Sequence, residues 1–273
     1  MPSLPRFVVT FAASDPTGGA GLQADLLTLA SMGCHPLSVV TALTVQDTHG
    51  VASVLPTAAS WVADQAHTLL DEFRVDAFKL GALGSPENAD AIARILVEHP
   101  RVPVVFDPVL ASGRGDTLSA GDMVDALREL IAPVATIGTP NSVEVRRLAS
   151  GGRDADALSL EECARRVLAL GCHHVLVTGT HEETPEVVNT LYSTDGDTCA
   201  ERWRRLPGSY HGSGCTLASA IAARLAHGAG IREAVHEAQE FTWQALAAGY
   251  RPGTGQHLPD RFFWARSFGE PRG

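Results

Sequence analysis

Lysine is nearly absent from this chain, which has one, Lys79, against twenty arginines. Any cationic contact with an anionic ligand therefore falls to arginine, to Lys79 or to no side chain at all. Aromatic residues are scarce at 6%, while hydrophobic residues reach 45%, so the core is an aliphatic one of Ala, Val and Leu. A net charge of −10 leaves no positive excess for a nucleic-acid surface. The five cysteines, at 34, 163, 172, 199 and 215, are odd in number and lack metal-ligand spacing. Neither a disulfide framework nor a zinc site is indicated, and a reducing compartment fits best. No apolar run approaches the ~18 residues of a membrane span, and Met1 to Arg6 carries no signal-peptide pattern. A cytoplasmic protein without membrane contact is expected. No linker or composition break divides the chain, so residues 1–273 read as one domain, with 249–273 as a terminal tail.

What is present is a set of glycine loops and short apolar runs. Gly212-Ser213-Gly214-Cys215-Thr216-Leu217 opens an apolar helix expected over Leu217 to His227. Glycines allow close approach of backbone to ligand, and a helix start aims unpaired N–H groups at one point, where phosphate is favoured. Cys215 sits in that field, which would lower its thiol pKa. A glycine-led loop capping a core helix around a buried thiol fits the same six residues.

Phe7 to Ala13 reads as a strand, followed by the loop Ser14 to Gly19 and a helix with Leu22, Leu26 and Leu29 at 3.6 spacing. Leu37 to Val45, Asp76 to Leu80, Val102 to Phe106, Val134 to Ile137 and His174 to Thr178 are further strands. Helices are expected over Trp61 to Phe73, Pro86 to Glu98, Gly121 to Ile131, Ser142 to Ala149, Glu161 to Leu170 and Arg232 to Ala248. This alternation predicts a largely parallel sheet with helices on both faces. Thr194-Asp195-Gly196-Asp197, between Val187–Tyr192 and Thr198–Trp203, signals an antiparallel hairpin at the sheet edge. Polar clusters after the strands, at 14–19, 46–49, 81–84, 107–116, 141–144 and 178–181, should share the carboxyl edge of the sheet and form one site.

In order, Ala12 to Asp25, Thr41 to Thr48, Lys79-Leu80-Gly81, Asp107-Pro108-Val109, Thr139 to Glu144 and Gly212 to Thr216 resemble the bacterial hydroxymethylpyrimidine/phosphomethylpyrimidine kinases of thiamine synthesis, members of the ribokinase-like superfamily. The resemblance covers about Phe7 to Tyr250 and implies a three-layer α/β sandwich that uses ATP and Mg²⁺ on a small-molecule alcohol. It places Gln46 on the aminopyrimidine ring, with Asp25, Ala13, Ala20 and Ala82 lining the same pocket. Asp107 and Glu144 would organise Mg²⁺, with Asn141 and Thr178 toward the nucleotide and Val109 to Asp116 as a flap. Gly212, Ser213 and Gly214 would receive the developing phosphoryl charge while Cys215 takes the hydroxyl proton. A homodimer is expected.

Duller readings attach to the same residues. Gln46 also suits a strand end, Asp25 an exposed helix position, and Asp107-Pro108 a turn. Asn141 and Glu144 have the spacing of a helix capping box. The chain also departs from the family pattern, with Thr178 where lysine is usual, Ala82 where methionine is common and Ala13 where glycine is common. Arg114, or the Thr178 hydroxyl with metal, is expected to replace the missing cation. Within the superfamily, pyridoxal or pyridoxine kinase is an alternative activity, and a pyrimidine-binding protein without turnover is another.

Overall fold

The computed structural model describes residues 4–110, 121–151 and 158–265. Its nine-stranded sheet begins in the middle. β1 (Arg6–Ser14) pairs in parallel with β2 (Cys34–Gln46) on one side and with β4 (Ala77–Leu80) on the other. The parallel run continues through β5 (Val104–Phe106), β6 (Ile137–Gly138) and β7 (His174–Val177). Antiparallel strands close both edges: β3 (Val51–Pro56) beside β2, and the hairpin of β8 (Glu186–Ser193) and β9 (Thr198–Arg204) beside β7. The order is β3-β2-β1-β4-β5-β6-β7-β8-β9. The Asp-Gly hairpin lies where the sequence signals it, whereas β3 adds an antiparallel strand at the opposite edge.

Strand alternation sends side chains into two helical layers. Val9, Phe11, Phe78 and Leu80 pack under α2 (Ala59–Glu72), α3 (Pro86–Glu98), α4 (Gly121–Ala126), α5 (Ser142–Ser150) and α6 (Leu160–Ala169). Val8, Ala77, Val105 and Leu176 pack under α1 (Gly21–Ser31), α7 (Ser213–Ala226) and α8 (Ile231–Ala247). The fold is thus a three-layer α/β sandwich, as the resemblance implies. α3 starts where its residues dictate: Ser85 accepts from the Asn88 N–H as N-cap, and Pro86 occupies the first turn. α4 runs on as a π-type turn over Leu127–Ile131. α7 begins four residues earlier than the apolar pattern suggests, so Ser213, Gly214 and Cys215 lie in its first turn.

After α8 the chain folds back over the loops. Tyr250 bridges to Leu258, and Tyr210 to His257. Arg261, 3% exposed, reaches the carbonyls of Gly18 and Gly19 and the Thr216 hydroxyl. No helix among the described residues is long and apolar enough to cross a membrane.

Candidate active site

The carboxyl ends of the strands open onto one cavity of ≈ 510 Å³. The loop after β1 brings Asp15 and Ala20 to its wall, beside Ala13 at the end of that strand. β2 extends past β1, and its alternation turns Ala42, Thr44 and Gln46 inward while Leu43 and Val45 face out, 53% and 63% exposed. Gly81 and Ala82 follow β4, and the Ala82 carbonyl accepts from the Thr41 hydroxyl at 2.6 Å. Asp107 follows β5, Asn141 and Glu144 follow β6, and Thr178 follows β7. The far wall is apolar, with Val187, Trp203, Trp243 and Leu246.

The start of α7 forms the floor. Gly212 adopts φ 84°, and a Cβ there would run into the carbonyl oxygen of Gly19, so only glycine closes this turn against the β1 loop. Gly212, Ser213, Gly214 and Cys215 all border the cavity. Cys215 is partly exposed, and its sulfur meets the backbone N–H of Gly21, the first residue of α1.

The sequence favours a thiol of lowered pKa; the structure reverses this. Burial, with the negative charges of Asp107 and Asp25, outweighs the help of Lys79 and pushes the Cys215 thiol up to about 12. In the free protein Cys215 is a neutral thiol lying against the Asp107 carboxylate.

Asp25 does not line the pocket. It is fully buried in α1, where it accepts from Thr10 at 2.6 Å, Lys79 at 2.9 Å and Ser219 at 2.8 Å. Thr10 and Lys79 are register partners on β1 and β4, both facing this layer. Asp25 is therefore the counterion of the single lysine, not a ligand to an incoming ring. Burial pulls the Lys79 pKa down, yet Asp25, Cys215 and Asp107 together leave it raised, so its charge is fixed behind the Cys215 turn.

Asn141 and Glu144 form the capping box in full. The Asn141 side chain accepts from the N–H groups of Val143 and Glu144, and Glu144 accepts from the Asn141 N–H at 2.9 Å. Both residues nevertheless border the cavity, so capping and ligand contact coexist. Thr178 is tied into the same corner: its N–H donates to the Pro140 carbonyl and its own carbonyl accepts from Ser142.

Two carboxylates face each other across this corner. Burial raises the pKa of Asp107, and burial together with the Asp107 charge raises that of Glu144. Asp107 Oδ2 is buried and finds no hydrogen-bond partner among the described residues. Buried carboxyl groups, one of them with an oxygen left unpaired, fit a cation. Two of them, without a third ligand, fit Mg²⁺, which keeps several waters and shares phosphate oxygens rather than entering an all-protein cage.

Among the described residues the cations on the wall are Lys79, Arg204 and Arg205. Arg205 is committed to the loop after β7, donating to the carbonyls of Thr180, Glu182 and Thr184 at 2.9 to 3.0 Å. The run Arg202-Trp203-Arg204-Arg205 thus sends Trp203, Arg204 and Arg205 to the cavity. Arg114 and most of the expected flap lie outside the described residues. Asp15 and His211 also stand on the wall; His211 is 7% exposed and contacts both Asp15 and Gln46.

The family model for phosphomethylpyrimidine kinase matches residues 15–260. The chain belongs to that family. It is 40% identical over 258 residues to a hydroxymethylpyrimidine/phosphomethylpyrimidine kinase of Streptomyces coelicolor, covering 93% of each chain. Among solved structures it resembles a phosphomethylpyrimidine kinase of Clostridium difficile (TM-score 0.75, 31% identity, 88% of this chain and 99% of the other). It also resembles a Bacillus subtilis pyridoxal kinase in its ADP complex (TM-score 0.87, 28% identity, 96% and 99%). Backbone overlap is greater with the pyridoxal kinase, and identity with the pyrimidine kinases.

Proposed function

We propose that this kinase transfers the γ-phosphoryl group of ATP to 4-amino-5-hydroxymethyl-2-methylpyrimidine and then phosphorylates the monophosphate to the diphosphate, as a step of thiamine synthesis. The observation that carries this is convergence: the Gly212 to Cys215 turn, the Asp107 and Glu144 carboxylates and Gln46 all border one cavity at the carboxyl edge of the sheet.

Gln46 meets the ring, with Ala13, Ala20 and Ala82 shaping a small-residue wall around it. The hydroxymethyl oxygen then lies toward Cys215. Backbone N–H groups of residues 212 to 215 receive the negative charge that develops on the migrating phosphoryl, a contribution of about 2.7–4 kcal/mol per donor in comparable anion holes. In the loaded site the Cys215 thiol first loses its proton to solvent, a step that Lys79, fixed behind it, favours by stabilising the thiolate; the thiolate then accepts the hydroxyl proton and is a thiol again. Asp107 and Glu144 would hold Mg²⁺, which when bound neutralises phosphate charge and offsets that of the two carboxylates. Asn141, Thr178 and Arg114 complete the nucleotide side. The exposed Leu43, Val45 and Leu55 at the β2–β3 edge support a homodimer through that face.

The test is ADP release in the presence of ATP, Mg²⁺ and the pyrimidine alcohol, with two ADP per alcohol when both steps occur. The high overlap with a pyridoxal kinase favours a second reading, and pyridoxal offered in parallel separates the two by kcat/KM. Ligand-induced melting shifts without ADP would instead make the protein a binder.

A further inference from the structure

His211 makes two contacts through one atom. Its Nε2 lies 2.8 Å from Asp15 Oδ2 and 2.8 Å from the terminal Nε2 of Gln46. A ring nitrogen has one in-plane site, holding a proton or a lone pair but never both. Asp15 decides which. Its carboxylate, 2% exposed, also accepts from the Thr17 N–H and the Thr17 hydroxyl at 2.9 Å each and from the Ala20 N–H at 2.8 Å. Burial opposes its ionisation, but the His211 contact and these amides hold its pKa below the ordinary value. An ionised carboxylate only accepts, so the proton is on His211 Nε2. A protonated Nε2 cannot receive the NH₂ of Gln46. It can share its hydrogen with an amide oxygen, and a half-turn of the Gln46 amide exchanges oxygen and nitrogen without moving any neighbour.

We propose that Asp15 and His211 are positioning residues that hold the Gln46 amide with its oxygen on His211 and its NH₂ toward the cavity, so that the wall offers a hydrogen-bond donor at this point. Such a donor takes the lone pair of a ring nitrogen and faces a ring N–H or exocyclic amino group like to like. It therefore sets which edge of a diazine ring enters and disfavours rings protonated at that nitrogen. The proposal rests on the reading of the pocket as a site for an aminopyrimidine alcohol.

The experiment has two arms. In the free, unliganded protein labelled with ¹⁵N-histidine, long-range proton–nitrogen couplings should show His211 protonated at Nε2, the signal being assigned by its loss in His211→Phe. In steady-state assays with the pyrimidine alcohol, His211→Phe should raise KM about tenfold, the weight of one hydrogen bond, and by more than it lowers kcat. Gln46→Glu, which puts an oxygen in place of the NH₂, should do the same. His211→Gln, whose amide nitrogen can still donate from the Nε2 position, should restore most of the loss. An unprotonated Nε2 in the free protein, or equal KM values for His211→Phe and His211→Gln, would overturn the proposal. If the wild type fails to phosphorylate the pyrimidine alcohol, the functional reading falls; the tautomer, together with calorimetric affinity for the alcohol in place of KM, still decides the positioning claim.

Discussion

Helices α2 to α6 cover their face of the sheet without burying a charged side chain among the described residues, apart from Glu144 at the pocket rim. The layer of α1, α7 and α8 is different: it encloses an ion pair, Lys79 with Asp25 at 2.8 Å, braced by Thr10 and Ser219. Burying two charges costs several kcal/mol each before their attraction is counted, so the pair is weak support for stability. Its place matters more. The charged layer lies directly behind Cys215, and the apolar layer reaches the chemistry only through loops. One layer holds the sheet together, and the other fixes a positive charge where the proposed reaction forms a thiolate.

Breaking the charged layer should have the largest effect. Lys79→Met strands Asp25 in the interior and should cost about 3–5 kcal/mol in urea unfolding. Adding Asp25→Leu to that variant should recover most of the stability while kcat stays low, because the charge behind Cys215 is gone. A double variant with normal kcat would make the pair purely architectural. Cys215→Ser comes next: kcat should fall by about 10²-fold or more, with KM and melting temperature little changed.

Glu144 gives a smaller effect with a defined sign. Its carboxyl keeps its proton in the folded chain up to about pH 8, against 4.5 ordinarily. The folded form therefore binds more protons across that window, and stability falls as pH rises through it. Glu144→Gln cannot ionise yet keeps an oxygen for the Asn141 N–H. Melting temperatures of the two proteins should coincide near pH 4.5, separate as pH rises through the window and differ most above pH 8, the variant being higher by roughly 2–4 °C for about 1 kcal/mol. The smallest effect belongs to the apolar layer. Ile92→Val should cost about 0.5–1.5 kcal/mol by chemical denaturation and leave kcat and KM unchanged.

Local signals located most of the sheet and nearly all helices, and α3 most closely, because a Ser cap and a Pro in the first turn admit few other readings. β3 escaped because Val51–Pro56 alternates poorly and lies largely exposed, so its pairing with β2 carries the strand rather than its own pattern. The glycine turn, Asp107, Glu144, Gln46 and Thr178 were legible as strand-end or helix-start residues, and the cavity gathers them. Asp25 was misplaced although a signal was present. It lies three residues after Leu22 and four before Leu29, on the buried stripe of α1, and Lys79 lies between Phe78 and Leu80 in a strand whose every residue is buried. A lone carboxylate and a lone lysine on two buried surfaces call for each other. The thiol pKa was misjudged for another reason: a helix start is local, whereas Asp107 and Asp25 come from distant segments.

Arg261 lies beyond every strand and helix of the described chain, yet it grips the Gly18 and Gly19 carbonyls and the first turn of α7. During synthesis the whole sheet can emerge and assemble before this guanidinium leaves the ribosome. The two glycine turns are then latched together last, so a nascent or clipped chain ending before position 261 would lack the contact that joins them.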